Sequence, residues 1–290
     1  PAVVLTVILG WPDHAASVFM GVIAVLYTTL GGVKAVTWSH FQQMLIMTLG
    51  LAAALVCAVA LLPSNVSFLD AVTLAGAAGR LNAVTTNVNW NDRYNLWSGL
   101  IGGMFLALSY FGCDQSQVQR YLTGKSVAQS RLSLLFNGMA KVPMQFFILF
   151  IGTMVFVFYV YQKPPVLFRP AELERIEGRA DFAPVARRHD AAFESRRAAA
   201  DRLIQARRAG DRALQQASLE DYRQAQLELE AARRQSVALV EKAGGPSGVN
   251  DTNYVFLTFV THYLPAGLAG LVLAVIFGAT MSAISAEMSA

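Results

Sequence analysis

Charge is segregated along this chain, and that segregation limits its possible folds more than any other feature. The stretch from Arg169 to Lys242 holds 15 of the 23 Lys and Arg residues and 13 of the 19 Asp and Glu residues. The rest is nearly free of charge and falls into apolar runs at about 14–30, 38–62, 96–113, 132–161 and 265–290. An apolar tail at 1–11 precedes them, and a shorter amphipathic run at 252–263 leads into the last. In hydrocarbon a helix is the one single segment that satisfies its own backbone, and about 20 mostly apolar residues suffice to cross. The expected class is therefore all-α, a polytopic transmembrane helical bundle embedded in a lipid bilayer. The net charge of +4 is small and scattered, so no nucleic-acid partner is expected.

The charged stretch reads differently. Residues 171–243 are rich in Ala, Glu, Arg and Gln with widely spaced Leu and Val. That composition favours helix, with opposite charges three or four apart on a solvated face. Gly210 is a natural break, and Gly244-Gly245-Pro246 a natural end. The spacing predicts a helical hairpin or one bent helix outside the membrane. Three parts follow: transmembrane helices over 1–162 (the tail of one span, then four spans), a charged helical insert over 163–251, and an interfacial helix with the final span over 252–290.

Short connections set the orientation. Lys34 lies in one, and Arg120, Lys125 and Arg131 in another two spans later, so both belong on the cytoplasmic side by the positive-inside rule. The insert is then extracytoplasmic. Trp90, Trp97, Tyr159 and Tyr161 sit where interfacial aromatic belts are expected. Pro1 in place of an initiator Met, and a C-terminus inside an apolar run, predict a chain truncated at both ends. Cys57 and Cys113 have neither metal-type nor disulfide spacing and read as small buried hydrophobes. The four histidines are scattered and no Gly-x-Ser-x-Gly elbow occurs, so an enzyme is not expected.

Few polar residues interrupt the apolar runs. Lys141 falls about ten residues, or roughly 15 Å, into its run, near the middle of a hydrocarbon core about 30 Å thick. An ammonium at that depth either faces a wettable interior or snorkels outward. Pro143 removes a backbone donor beside it. Tyr110 ends another run, as a belt residue or as a lid over a bound solute. Ser282, Ser285 and Ser289 recur at helical spacing with Gly278, Ala279 and Ala286, a small-residue stripe that suits either close packing or oxygen ligation.

Three segments carry a family resemblance: Gly31-Gly32-Val33-Lys34-Ala35-Val36-Thr37-Trp38-Ser39-His40-Phe41-Gln42-Gln43, Tyr110-Phe111-Gly112-Cys113-Asp114-Gln115-Ser116-Gln117-Val118-Gln119-Arg120, and Leu264-Pro265-Ala266-Gly267 through Met281-Ser282-Ala283-Ile284-Ser285. Their order and spacing resemble the sodium:solute symporter family. The resemblance implies an inverted-repeat fold of five plus five helices, here partial, and alternating access around a midplane site. It implies sodium-coupled symport of a small organic solute such as a sugar, polyol or monocarboxylate. It assigns the coupling sodium ion to the Ala279 carbonyl and the Ser282 hydroxyl, and the substrate and inner gate to Lys141 and Tyr110.

The chain departs from the family pattern at three places. A second hydroxyl expected after Ser282 is Ala283, a substrate asparagine corresponds to Ala107, and an aspartate after the Trp38 motif is His40. A histidine there brings possible pH or ion modulation. The alternative reading is a transporter-like sensor module of a signalling protein. A channel is disfavoured, because Lys141 opposes cation flow.

Overall fold

The structure, a computed structural model, describes residues 11–82, 86, 95–122, 124–246 and 248–289, with backbone alone at 13, 27, 32–36, 120 and 289. The apolar tail before Trp11, Trp90, and the side chains of Lys34, Arg120 and Ser289 thus lie outside the described residues. Every regular element described is an α-helix. These are α1 (Asp13–Ala60), α2 (Phe68–Ala77), α3 (Leu96–Gly112), α4 (Gln115–Leu122), α5 (Val127–Tyr161), α6 (Pro170–Glu177), α7 (Phe182–Ala209), α8 (Arg212–Lys242), α9 (Thr252–Tyr263) and α10 (Ala266–Ser289). Four segments are long and apolar enough to cross a membrane: His14–Gly31, Thr37–Ala60, Val127–Tyr161 and Ala266–Met288. The fifth expected span, α3, has 17 residues, at the short end of what a bilayer needs.

The chain divides into two compact units, one of Pro1–Ala53, Asn82–Leu149 and Pro265–Ala290 and the other of Ala54–Leu81 and Phe150–Leu264. In the first, the expected connection at Lys34 is instead helical backbone within the 48-residue α1. Gly31 and Gly32 weaken a helix by only about 1 kcal/mol each relative to Ala, and no Pro stops it. The helix is nevertheless not straight. A straight one would hold Ala16 and His40 about 36 Å apart at 1.5 Å per residue. Yet Ala16 and Met20 pack on Phe277 and Met281, while His40 reaches Ser282. The chain therefore turns sharply between Met20 and His40, where Gly31-Gly32 is the adjacent glycine pair.

The second half of α1 runs antiparallel to α10. A Cβ on Gly50 would stand 3.4 Å from Val272, Gln43 lies on Gly278, and His40 bonds to Ser282, so the register rises on one helix as it falls on the other. Pro265 forces Leu264 to an extended ψ of 146°, which separates α9 from α10. Asn95 caps α3 reciprocally with Ser98.

The second unit contains the charged insert, and it is a helical hairpin. Gly210 ends α7 at φ 71°, the left-handed conformation that glycine adopts without a Cβ clash, and Asp211 caps α8 through the Leu214 amide. Phe193 and Ala192 pack on Leu229, and a larger cluster of Val166, Leu167, Ile176, Phe182, Leu239 and Val240 closes the base. Tyr159 and Tyr161 are not belt residues but are 5% and 6% exposed in this unit, Tyr159 edge-on to Phe168 and Tyr263. The second unit covers their rings, and the buried Arg196 guanidinium donates to the Tyr159 backbone carbonyl.

Candidate functional site

Lys141 lies about 21 Å along α5 from Val127, at 1.5 Å per residue. It precedes Pro143, which sits inside the helix and leaves the Met139 carbonyl without its usual i+4 donor. Its Nζ stands over the Tyr110 ring at 4.9 Å from the centroid and over Phe111 at 5.7 Å. The two rings meet edge to face at 5.0 Å, so they form one aromatic corner at the end of α3. A desolvated ammonium held against such faces is worth about 2 kcal/mol, and an exposed one about 0.5–1 kcal/mol. Lys141 is exposed and Tyr110 half-buried, which leaves both open to a further ligand.

The small-residue stripe of α10 faces α1. Ser282 and Ser285 are 6% and 0% exposed. The Ser282 carbonyl accepts from His40 Nε2 at 3.0 Å and from Ser285 Oγ at 3.0 Å. That contact fixes the role of Nε2 as donor, since a carbonyl only accepts. Beside it the Gln43 amide covers Gly278, with its Oε1 buried and accepting no hydrogen bond among the described residues. For a sodium ion as transported species the donor set is partly suitable: oxygens on Ser282 and Gln43 and the Ala279 carbonyl suit a hard cation. Among the described residues no hydrogen bond or ion pair brings a carboxylate to them, and His40 stands where one was expected.

The sequence-predicted residues therefore assemble as two pairs, Lys141 with Tyr110 and His40 with Ser282. Among the described residues no hydrogen bond, ion pair or ring contact joins Lys141 or Tyr110 to Ala279 or Ser282. What links α10 to the end of α3 is Ser116, which sequence reasoning gave no role. Asp114 tethers the start of α4 through the Ser116 amide (2.9 Å) and hydroxyl (2.7 Å), and the same Oγ lies 3.0 Å from Glu287 on α10. Asp114 thus ties off a helix end, as its place after Gly112-Cys113 suggests. Gln43, which lies on Gly278, was given no role by sequence reasoning either. Its signal was in the sequence, one turn beyond His40 in the first motif.

Outside this unit, the polar contacts are those of the insert. Arg208 binds Asp70 and the Asn65 carbonyl, and Arg233 holds both Asp251 oxygens at 2.9 Å. Burial pushes the Asp70 carboxyl up, but hydrogen bonds from Arg208 and Ser67 outweigh it and hold the group below its usual range. His189 is fully buried, its Nδ1 stands 3.5 Å from Asp190 and neither ring nitrogen makes a hydrogen bond among the described residues; burial keeps it below its ordinary value despite Asp190. A groove of about 450 Å³ between α7 and α8 is lined by Arg188, Arg202, Asp221 and Glu228, which pair with one another.

The profile described as "Sodium:solute symporter family" matches residues 1–179. Human sodium-coupled monocarboxylate transporter 1 is 39% identical over 137 residues, 47% of this chain and 22% of that protein. The human sodium/iodide cotransporter is 33% identical over 171 residues, 58% of this chain and 26% of that protein. The rabbit sodium-dependent multivitamin transporter is 30% identical over 169 residues, 57% of this chain and 25% of that protein. The chain thus spans about a quarter of the length of these relatives. No solved structure matches.

Proposed function

The chain belongs to the sodium:solute symporter family, membrane transporters rather than enzymes, and on that footing we propose that it is part of a multi-pass carrier driving uptake of a small anionic solute with sodium. The observation that carries the anionic reading is the Lys141 ammonium on the Tyr110 ring. A carboxylate or similar anion pairs with the ammonium, while the ring covers its apolar body. Relatives named for monocarboxylates and for iodide, both anions, support the same class. Ala107 lacks the amide that would hold a sugar hydroxyl.

Sodium is bound on the α10 stripe by Ser282 and Ala279, and Tyr110 closes the cytoplasmic side. Ion binding drives transport only if it favours one conformation over the other. The rest of the layout belongs to this reading: a partial five-plus-five inverted repeat, spans over 1–162 and 252–290, and the 163–251 hairpin on the extracytoplasmic face. The positive residues Lys125, between α4 and α5, and Arg131, near the start of α5, support that orientation. The test is uptake into proteoliposomes under an inward sodium gradient, with a panel of monocarboxylates, sugars, polyols and amino acids. Sodium-dependent uptake of a monocarboxylate is the expected result. Uptake of neutral sugars alone would remove the anionic reading, and none in sodium would remove the coupling. Protease digestion of intact cells is expected to cut at the 163–251 hairpin.

A further inference from the structure

The hairpin of α7 and α8 begins beyond residue 179, where the match to the family profile ends. It does not stand off as a free arm, because root, middle and tip each meet a different part of the second unit. The root is apolar: Phe182, Leu239 and Val240 pack with Val166, Leu167 and Ile176. Asp190 adds an ion pair at 2.6 Å to Lys163, just past the end of α5, and Arg233 on α8 holds Asp251 before α9. In the middle, Arg196 donates to the Tyr159 carbonyl on the last turn of α5. At the tip, Arg208 binds Asp70 and the Asn65 carbonyl, and Arg207 reaches the Leu69 carbonyl at 3.4 Å. Those residues follow the end of α1 at Ala60. From Asp190 to Arg208, α7 covers about 27 Å at 1.5 Å per residue. One helix thus bridges the ends of two spans.

The attachments are unequal. The root buries apolar side chains, which holds it firmly. Under the middle, the Tyr161 and Tyr222 hydroxyls are buried and make no hydrogen bond among the described residues, a cost that works against docking. The tip is held by hydrogen bonds and one ion pair, through a half-exposed Arg208 whose charge water and salt screen. We infer that the insert is a strap, fixed at its root and latched at its tip by Arg207 and Arg208, that sets the separation of the ends of α1 and α5. With the latch closed the two span ends move as one body; with it open each moves alone. The inference rests on the carrier reading only in naming transport as the motion that the strap limits.

The experiment uses the protein expressed from its whole gene and reconstituted in proteoliposomes. Cys57 and Cys113 are replaced by Ala, and spin labels are attached at Leu61→Cys and Gln162→Cys, both exposed positions at the two span ends. Pulsed electron paramagnetic resonance then reads the distribution of distances between the labels. With the latch intact, one narrow distribution is expected, the same in potassium chloride as in sodium acetate. In Arg207→Gln/Arg208→Gln, which keeps helix-forming side chains but removes both cations, it is expected to broaden at least about twofold. Asp70→Asn removes the acceptor from the other side, is expected to broaden the distribution as well, and serves if the double variant does not fold. A distribution as narrow as that of the latched protein in a folded unlatched variant overturns the strap. So does a broad or two-peaked distribution with the latch intact. Uptake by the labelled protein is measured separately: its absence would count against the carrier reading, while the distances still decide the strap.

Discussion

The Lys141 ammonium stands 4.9 Å from the centre of the Tyr110 ring, joining α5 to the end of α3. If this pair receives the solute, its two halves differ in what they can lose. Tyr110→Phe keeps the face and is expected to transport with little change. Tyr110→Leu and Lys141→Met are expected to raise the solute half-saturation by about 5- to 30-fold, equivalent to about 1–2 kcal/mol. Initial rates against solute concentration at saturating sodium decide it. Unchanged half-saturation in both loss variants would remove the pair from the substrate site.

Ser282 and Ser285 are both buried on α10, but only one is assigned to the ion. Ser285 Oγ is occupied in donating to the Ser282 carbonyl. Ser282→Ala is therefore expected to raise the sodium half-saturation of uptake by about tenfold, a loss of about 1.4 kcal/mol, and Ser285→Ala by much less. Sodium titration of uptake at fixed solute separates them. No change in either variant would remove Ser282 from the ion site, and equal effects would remove the distinction between the two serines.

The salt link from Arg208 to Asp70 clamps the hairpin turn to α2. Arg208 is half exposed, so screening reduces its worth. Arg208→Ala or Asp70→Asn is expected to cost about 1–2 kcal/mol of stability in the second unit. Because the Asp70 carboxyl is held below its ordinary value, its contribution is present above about pH 3.9 and is lost as pH falls through the lowered folded value. Hydrogen exchange over residues 65–75 and 200–215 reads the loosening directly.

His189 acts in a different pH range. Its folded value lies below the unfolded one of roughly 6.5, so between the two the unfolded chain binds a proton that the folded chain refuses. Stability of the hairpin is then full above about pH 6.5 and declines on acidification through that window. The charged groups around it are Asp190 on its own helix, Lys163 before α6, and Arg233 on α8. His189→Leu is expected to flatten the decline below about pH 6.5 in thermal unfolding. A curve as steep as wild type would show that other groups carry it.

The kind of element, the apolar spans and the helical character of the insert were legible because hydrophobic runs and charge segregation dictate them locally, whereas the merging of two runs into α1 and the short helices α2, α4 and α6 were not. The hairpin broke at Gly210, where a left-handed residue is needed, and α9 stopped before Pro265. What depended on distant partners was not legible. Tyr159 and Tyr161 read as interfacial because nothing local reveals that the charged insert will bury them. Lys34 read as a loop because a glycine pair marks a turn and a helical bend equally well. In the site, Lys141 and Tyr110 stood out as polar exceptions in apolar runs. Ser116 and Gln43 did not, since their meaning comes from Glu287 and Gly278, which lie far along the chain.

The turn near Gly31-Gly32 is made within hydrogen-bonded helix rather than in a loose link. A flexible link would absorb any displacement of the segment holding Ala16 and Met20. A turn made in continuous helical backbone ties the position of that segment to the residues that follow it, His40 among them, because each peptide in it has its place in the helix.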